Sequence, residues 1–380
     1  MRFLGLINRG FEDIAAIDVK ESIKCEVIEK LDSAIIFDAE SFEACKYCYT
    51  SQIAIKIINL IQILKFKNLE ENTDQDLIVG NLFNDIKNKS FKVESKIISN
   101  KHDSDDINYK IDSSIGKMLE NQGLKVDLEN PEIIINAILI EDNIYVGVDL
   151  SGDLSKRDYR IFNSPQSVKG TTAFGLLMIS GYKKDDVLLD PYCNSGTIAI
   201  EAALHSRSLS HKFYNKNMPF VRMNILNNED FFKIMDKESR INPSITAADP
   251  LLKNTSAAKK NAKIAGVEKF IEFRRIDIDW MDLKNDKDHF DKMITFIPGS
   301  SKHREIKAIM KDYDRFFYQS EYILKDSGVL SVLCLSKDLL IKAASPYFSI
   351  IKEHEFYSGH QLMHILMFKK LKLKKSENQV

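Results

Sequence analysis

The stretch that most restricts what this chain can become covers residues 186–204, DVLLDPYCNSGTIAIEAAL. Val187, Leu188 and Leu189 form an apolar run of strand length, Asp190 and Pro191 end it, and residues 197–204 carry a helical pattern. Strand, tight turn and helix in that order predict a doubly wound α/β sheet. In such a sheet the turn lies at the carboxyl ends of the strands, where backbone N–H groups and a helix N-terminus meet a ligand. The turn itself reads Asp190-Pro191-Tyr192-Cys193-Asn194-Ser195-Gly196-Thr197. With one glycine and a leading acid, it departs from the three glycines of a dinucleotide-binding loop.

A chain of 380 residues exceeds one ordinary core, so two or three domains are expected. Residues 1–68 read as a small α/β unit and 69–155 as a second one, with the half-exposed strand Phe91-Lys92-Val93-Glu94-Ser95-Lys96-Ile97, a helix over 107–119 and strands over 133–140 and 144–148. A helix is also predicted over 76–88, and the run 51–66 has a mixed pattern with Lys56, Asn59 and Gln62 at about helical spacing. Residues 156–180 form a linker helix region, 181–370 the ligand-binding domain and 371–380 a basic tail. Within the third domain, 207–242 reads as a polar insertion. Asp249 ends a short strand at 245–248, and Asp277 ends another at 270–276. Asp249 stands 59 positions after Asp190 (249 minus 190), against roughly 20 in a dinucleotide fold.

Charge adds a restriction. Lysines and arginines nearly cancel the acids, leaving a net charge of −1, so any nucleic-acid contact must come from a segregated basic patch. Lys92, Lys96, Lys101 and Lys117 are candidates, opposed by Asp103, Asp105 and Asp106, as are Lys156, Arg157 and Arg160 around Tyr159. For that last group the competing expectation is a linker pinned by a buried tyrosine. No secretion signal and no apolar run of spanning length is present, which predicts a cytoplasmic protein without a membrane partner. Five scattered cysteines, with Cys45 and Cys48 as a lone C-x-x-C, read as structural thiols, and no metal site is expected.

The loop 190–197 resembles the D-P-x-C-G-S-G-T loop of the THUMP-containing RNA methyltransferases, whose members methylate guanine N2 in tRNA or ribosomal RNA with S-adenosylmethionine (SAM). Arg9-Gly10-Phe11-Glu12-Asp13, the 126–132 stretch VDLENPE and the 257–266 stretch AAKKNAKIAG resemble further elements of that family. The resemblance implies a ferredoxin-like domain (1–68), a THUMP RNA-binding domain (69–155) and a Rossmann-like methyltransferase domain, with tRNA or another structured RNA as partner. It also implies that SAM meets Asp190, Tyr192, Asn194, Ser195, Gly196 and Thr197. Asp249 would accept the ribose hydroxyls, since a carboxylate offers two oxygens to a diol, and Asp277 would meet the adenine. Asn194 replaces the family's first glycine; asparagine tolerates left-handed backbone, so the loop shape should survive with a carboxamide crowding the cofactor site.

At the end of the fourth strand the family pattern N-P-P-Y becomes Phe296-Ile297-Pro298-Gly299. The exocyclic amine of guanine is a poor nucleophile until acceptors orient its lone pair and an aromatic ring stacks on the extruded base. Phenylalanine offers no acceptor and glycine no ring. Two expectations follow: a SAM-dependent RNA methyltransferase with weakened transfer, or an RNA-binding protein or partner subunit of the same fold without transfer.

Overall fold

The computed structural model describes residues 1–69, 89–98, 105–164, 166–237, 239–297 and 305–371. The helix expected over 76–88, together with Lys101, Asp103, Pro298, Gly299 and the tail beyond 371, lies outside these residues. The chain divides into two units, Met1–Lys156 with Lys212–Lys237, and Arg157–His211 with Glu238–Val380.

The first unit is built on one eight-stranded sheet of order β2-β3-β1-β4-β8-β7-β5-β6. β1 (Arg2–Leu6), α1 (Glu12–Ile23), β2 (Val27–Leu31), β3 (Ala34–Asp38), α2 (Ser41–Thr50) and β4 (Lys56–Lys65) form an antiparallel βαββαβ arrangement, the ferredoxin-like pattern. α2 buries Ala44, Cys45, Tyr47, Cys48 and Tyr49. Burial pushes the Cys45 thiol up to about 12 and the Cys48 thiol up as well, which leaves both unreactive. β4 is a continuous strand although its sequence carries a helix-like spacing. Its register shifts between Leu60 and Gln62, and this bulge breaks the two-residue alternation.

β5 (Ser90–Ile97), α3 (Asp105–Asn121), β6 (Lys125–Val126), β7 (Ile133–Ile140) and β8 (Asn143–Asp149) continue the sheet, with β5 parallel to β6 and β7 and β8 antiparallel to β7 and β4. α3 packs Ile111, Ile115, Met118 and Leu119 with Phe91, Ile135 and Val146. Where β8 crosses β4, a Cβ on Gly147 would lie 2.3 Å from the Asn59 carbonyl oxygen. Gly147→Ala is therefore expected to cost about 2 kcal/mol, read as a lowered melting temperature of the N-terminal unit.

Lys212–Lys237 falls in sequence inside the expected methyltransferase domain but clusters with the first unit. Its Phe231 is 2 % exposed and makes edge-to-face contacts with Phe42, Tyr49 and Phe220. Tyr49 donates to Asp236 at 2.6 Å, and Lys216 pairs with the same carboxylate.

The second unit holds a seven-stranded sheet of order β11-β10-β9-β12-β13-β15-β14. β9 (Val187–Asp190), β10 (Ser244–Asp249), β11 (Ile271–Arg275), β12 (Phe290–Phe296) and β13 (Leu324–Cys334) are parallel, while β14 (Phe348–Ser358) and β15 (Gln361–Lys370) form an antiparallel hairpin that joins β13. The longer helices are α4 (Gly170–Ile179), α5 (Thr197–Arg207), α6 (Leu252–Ile264), α7 (Ile306–Ile323) and α8 (Asp338–Ala344). α7 drives Phe316 and Phe317 into a core with Met293, Leu330 and Phe368. The strand order reverses between β9 and β12, and a crevice at their carboxyl ends is where open α/β sheets bind ligands. No described helix is long and apolar enough to cross a membrane.

Candidate cofactor and base pocket

The loop after β9 takes its shape from two left-handed residues, Asn194 at φ 49° and Gly196 at φ 82°. Gly196 has a second constraint, since a Cβ there would meet Ala258 Cβ of α6 at 2.7 Å. The loop is tied to β10 by Cys193 N donating to the Ala248 carbonyl (2.8 Å) and Asn194 N donating to Asp249 Oδ2 (3.0 Å). Asp249 Oδ1 accepts from Leu251 N and Asn254 Nδ2. Three donors thus already engage Asp249, which is 2 % exposed and does not line the pocket described next.

That pocket lies at the reversal point and is lined by Asp190, Tyr192, Asn194 and Thr197 from the loop, Phe296 from the end of β12, and Ser167 from the segment before α4. Asp190 is 1 % exposed. Its Oδ1 accepts from Thr295 Oγ1 at 2.8 Å, and its Oδ2 has no hydrogen-bond partner among the described residues. Burial, with Asp249 nearby, pushes this carboxyl up to about 8. Thr197 Oγ1 is likewise buried without a described partner. Tyr192 packs on Phe316 with ring centres 5.8 Å apart; burial pushes its phenol up, as do Asp312, Asp277, Asp249 and Asp279 around it. Asp277 is exposed and accepts from Asp279 N at 3.3 Å as the cap of a single 3-10 turn.

Sequence reasoning did not single out Thr295, Ser164 or Gln166, or the specific pairing of Ser167 with Ser195. The signal for Thr295 is its position one residue before Phe296 on β12, which turns its side chain to the opposite face, toward Asp190. Ile297 is 2 % exposed, and its N–H donates to the Leu333 carbonyl.

Arg157 requires a correction as a nucleic-acid contact. Its side chain is fully buried, with Nε 2.7 Å from Glu201 Oε1 and Nη2 3.2 Å from Glu201 Oε2, and Tyr159 OH donates to the same Oε1 at 2.7 Å. A guanidinium closed in by a carboxylate has no face left for phosphate. The pinned linker is what the structure shows. Arg160 is half-buried, with Nε lacking a partner among the described residues. Lys156 is exposed; Lys92 and Lys96 share one face of β5, with Glu94 between them and 3.4 Å from Lys92 Nζ.

The family model described as "RMKL-like, methyltransferase domain" matches residues 157–365, more than half of the chain, and the THUMP domain model matches 78–149. The chain belongs to the RMKL-like methyltransferase family. Two relatives are tRNA (guanine(6)-N2)-methyltransferases. That of Archaeoglobus fulgidus is 28 % identical over 90 % of this chain and 86 % of its own length, and that of Methanocaldococcus jannaschii is 35 % identical over 59 % and 60 %. Among solved structures, SMU.472 complexed with SAH superposes with a TM-score of 0.79 at 18 % identity, covering 98 % of this chain and 99 % of that one. RMKL-like membership places the switch-point pocket in a SAM-dependent methyltransferase fold, with a THUMP domain before it in the chain.

Proposed function

We propose that the chain holds SAM on the Asp190–Thr197 loop and receives a base of a structured RNA beside Phe296, with tRNA as the RNA and guanine N2 as the target, as the names of both archaeal relatives state for those proteins. The observation that carries this reading is the pair of buried atoms without a partner among the described residues, Asp190 Oδ2 and Thr197 Oγ1, on two residues that line the pocket at the switch point. Buried polar atoms without partners are costly, and a ligand bearing positive charge and hydrogen-bonding groups satisfies both. SAM meets that description and, when bound, supplies an electrophilic methyl group on a sulfonium. Asp249 positions the loop by holding Asn194 N. Lys92, Lys96 and Lys156 are the proposed phosphate contacts, and a cytoplasmic location follows from tRNA as partner.

Phe296 favours a second reading. Its ring stands in the pocket where the reaction needs an acceptor, so RNA binding with little transfer is the form this chain takes if nothing else supplies one. A methyl-transfer assay with labelled SAM and unmodified tRNA separates the readings, and turnover at the relatives' rate would remove the second.

SAM binding itself has a pH signature. At neutral pH the Asp190 carboxyl holds its proton, because its pKa is pushed up to about 8. A cation is met by the ionised form, so affinity should rise roughly tenfold per pH unit up to that value and level off above it. Calorimetry between pH 6.5 and 9 reads the slope together with the released proton. Asp190→Asn should flatten the profile and weaken binding, and a flat profile in the parent protein would show that Asp190 does not meet the cation.

A further inference from the structure

The segment before α4 lies directly on the cofactor loop and is fastened to it by side chains. Ser195 Oγ donates to Ser167 Oγ at 2.6 Å, Ser164 N–H donates to the same oxygen at 3.0 Å, and Ser164 Oγ donates to Asn194 Oδ1 at 3.3 Å. The other end of the Asn194 carboxamide donates to the Tyr192 carbonyl at 3.0 Å. Upstream, Asn261 of α6 fixes the start of the segment. It accepts from Phe162 N, and its Nδ2 donates to the Phe162 and Ser195 carbonyls. Residues 162–164 and 166–167 therefore form a strap anchored at Phe162 and closed at Ser164 and Ser167 over residues 194–195.

The closed strap sets the size of the site. Ser167, Asn194, Gln166 and Val168 all line the pocket, so the strap and the Asn194 carboxamide both take up room that a bound molecule needs. Asn194 does two things at once: its carboxamide fills part of the pocket wall and supplies the acceptor that latches Ser164. The backbone at Asn194 does not depend on that side chain, since φ 49° is open to glycine at no cost.

We infer that Asn194 is an affinity-setting residue for the cofactor: its carboxamide latches the strap over the loop through Ser164, and the latch must open before SAM seats. The inference rests on the SAM reading above. Each closed bond is lost when the ligand enters, so removing it beforehand strengthens binding. Asn194→Gly should bind SAM about 5- to 10-fold more tightly, the equivalent of one net hydrogen bond. Ser164→Ala should do the same to a lesser extent. The double variant should gain less than the product of the two single gains, because both remove one shared contact.

Calorimetry with SAM on the full chain reads the affinities, and hydrogen exchange of the ligand-free protein reads the latch. The Ser164 and Ser167 amides should exchange faster in both variants. Unchanged or weaker SAM affinity in Asn194→Gly, with the parent protein binding SAM and both melting alike, overturns the inference. If neither protein binds SAM, the cofactor reading is what fails; unchanged exchange at Ser164 and Ser167 would then still overturn the latch.

Discussion

Glu201→Gln should melt the methyltransferase unit about 10 °C below the parent, a loss of roughly 3–5 kcal/mol at a few degrees per kcal/mol. The change is nearly isosteric, so the effect isolates charge and hydrogen-bond polarity. Glu201 Oε1 accepts from both Arg157 Nε and Tyr159 OH, and Oε2 accepts from Arg157 Nη2. A glutamine presents an NH₂ to one of these donors and takes from the Arg157 charge the carboxylate it pairs with, at a site with no solvent access. The surroundings cannot relax to admit water, because α4 begins at Gly170, where even a Cβ would lie 2.5 Å from Arg157 Nε and 2.7 Å from Glu201 Oε1. Arg157→Met added to Glu201→Gln should regain part of the loss, since the uncompensated charge leaves with the arginine. A melting temperature for Glu201→Gln within 2 °C of the parent, or strictly additive single effects, would show that the pair is not what holds residues 157–160 to α5.

This pair also marks where sequence reading stopped. Several elements of the second unit were legible from their own pattern: an apolar run for β9, alternation at the end of β12, and small residues at helical spacing in α6. Ile309, Tyr313, Phe316, Phe317 and Ile323 mark α7 by the same rule, although no helix was expected there. In the first unit α2 is held by burial of tyrosines and cysteines, which are indifferent helix formers, and β4 is disguised by its bulge. At the site, the left-handed turn could be anticipated from asparagine and glycine. The partner of Arg157 lies 44 positions away, and no local pattern distinguishes a buried arginine from a phosphate contact. Asp249 is a similar case. Its position at the tip of β10 was readable, but the donors that occupy it come from loop folding.

The triple variant Phe296→Asn, Ile297→Pro, Gly299→Tyr, which restores the family's N-P-P-Y wording, should transfer methyl groups to tRNA at least about 100-fold faster than the parent protein, the usual worth of one positioned polar group at a reacting centre. The argument begins with the amine. Its lone pair is delocalised into the guanine ring, and acceptors for its protons localise the pair toward the methyl donor. Phe296 stands at the end of β12 in the wall of the pocket beside Asp190, and its ring accepts nothing. Asparagine at the same backbone position aims a carboxamide oxygen into that space. Asp190 is a poor substitute acceptor, because Thr295 already occupies Oδ1 and Oδ2 is the atom proposed to meet the cation of SAM. Phe296→Asn alone should recover part of the rate and the tyrosine the remainder, through stacking on the extruded base. SAM affinity should move little, so the gain appears in kcat. If the restored variant binds SAM and tRNA and still shows no gain, the missing wording at 296–299 is not what limits this chain. Rapid turnover by the parent would mean that another group supplies the acceptor, and Phe296 would then be a stacking surface for the base.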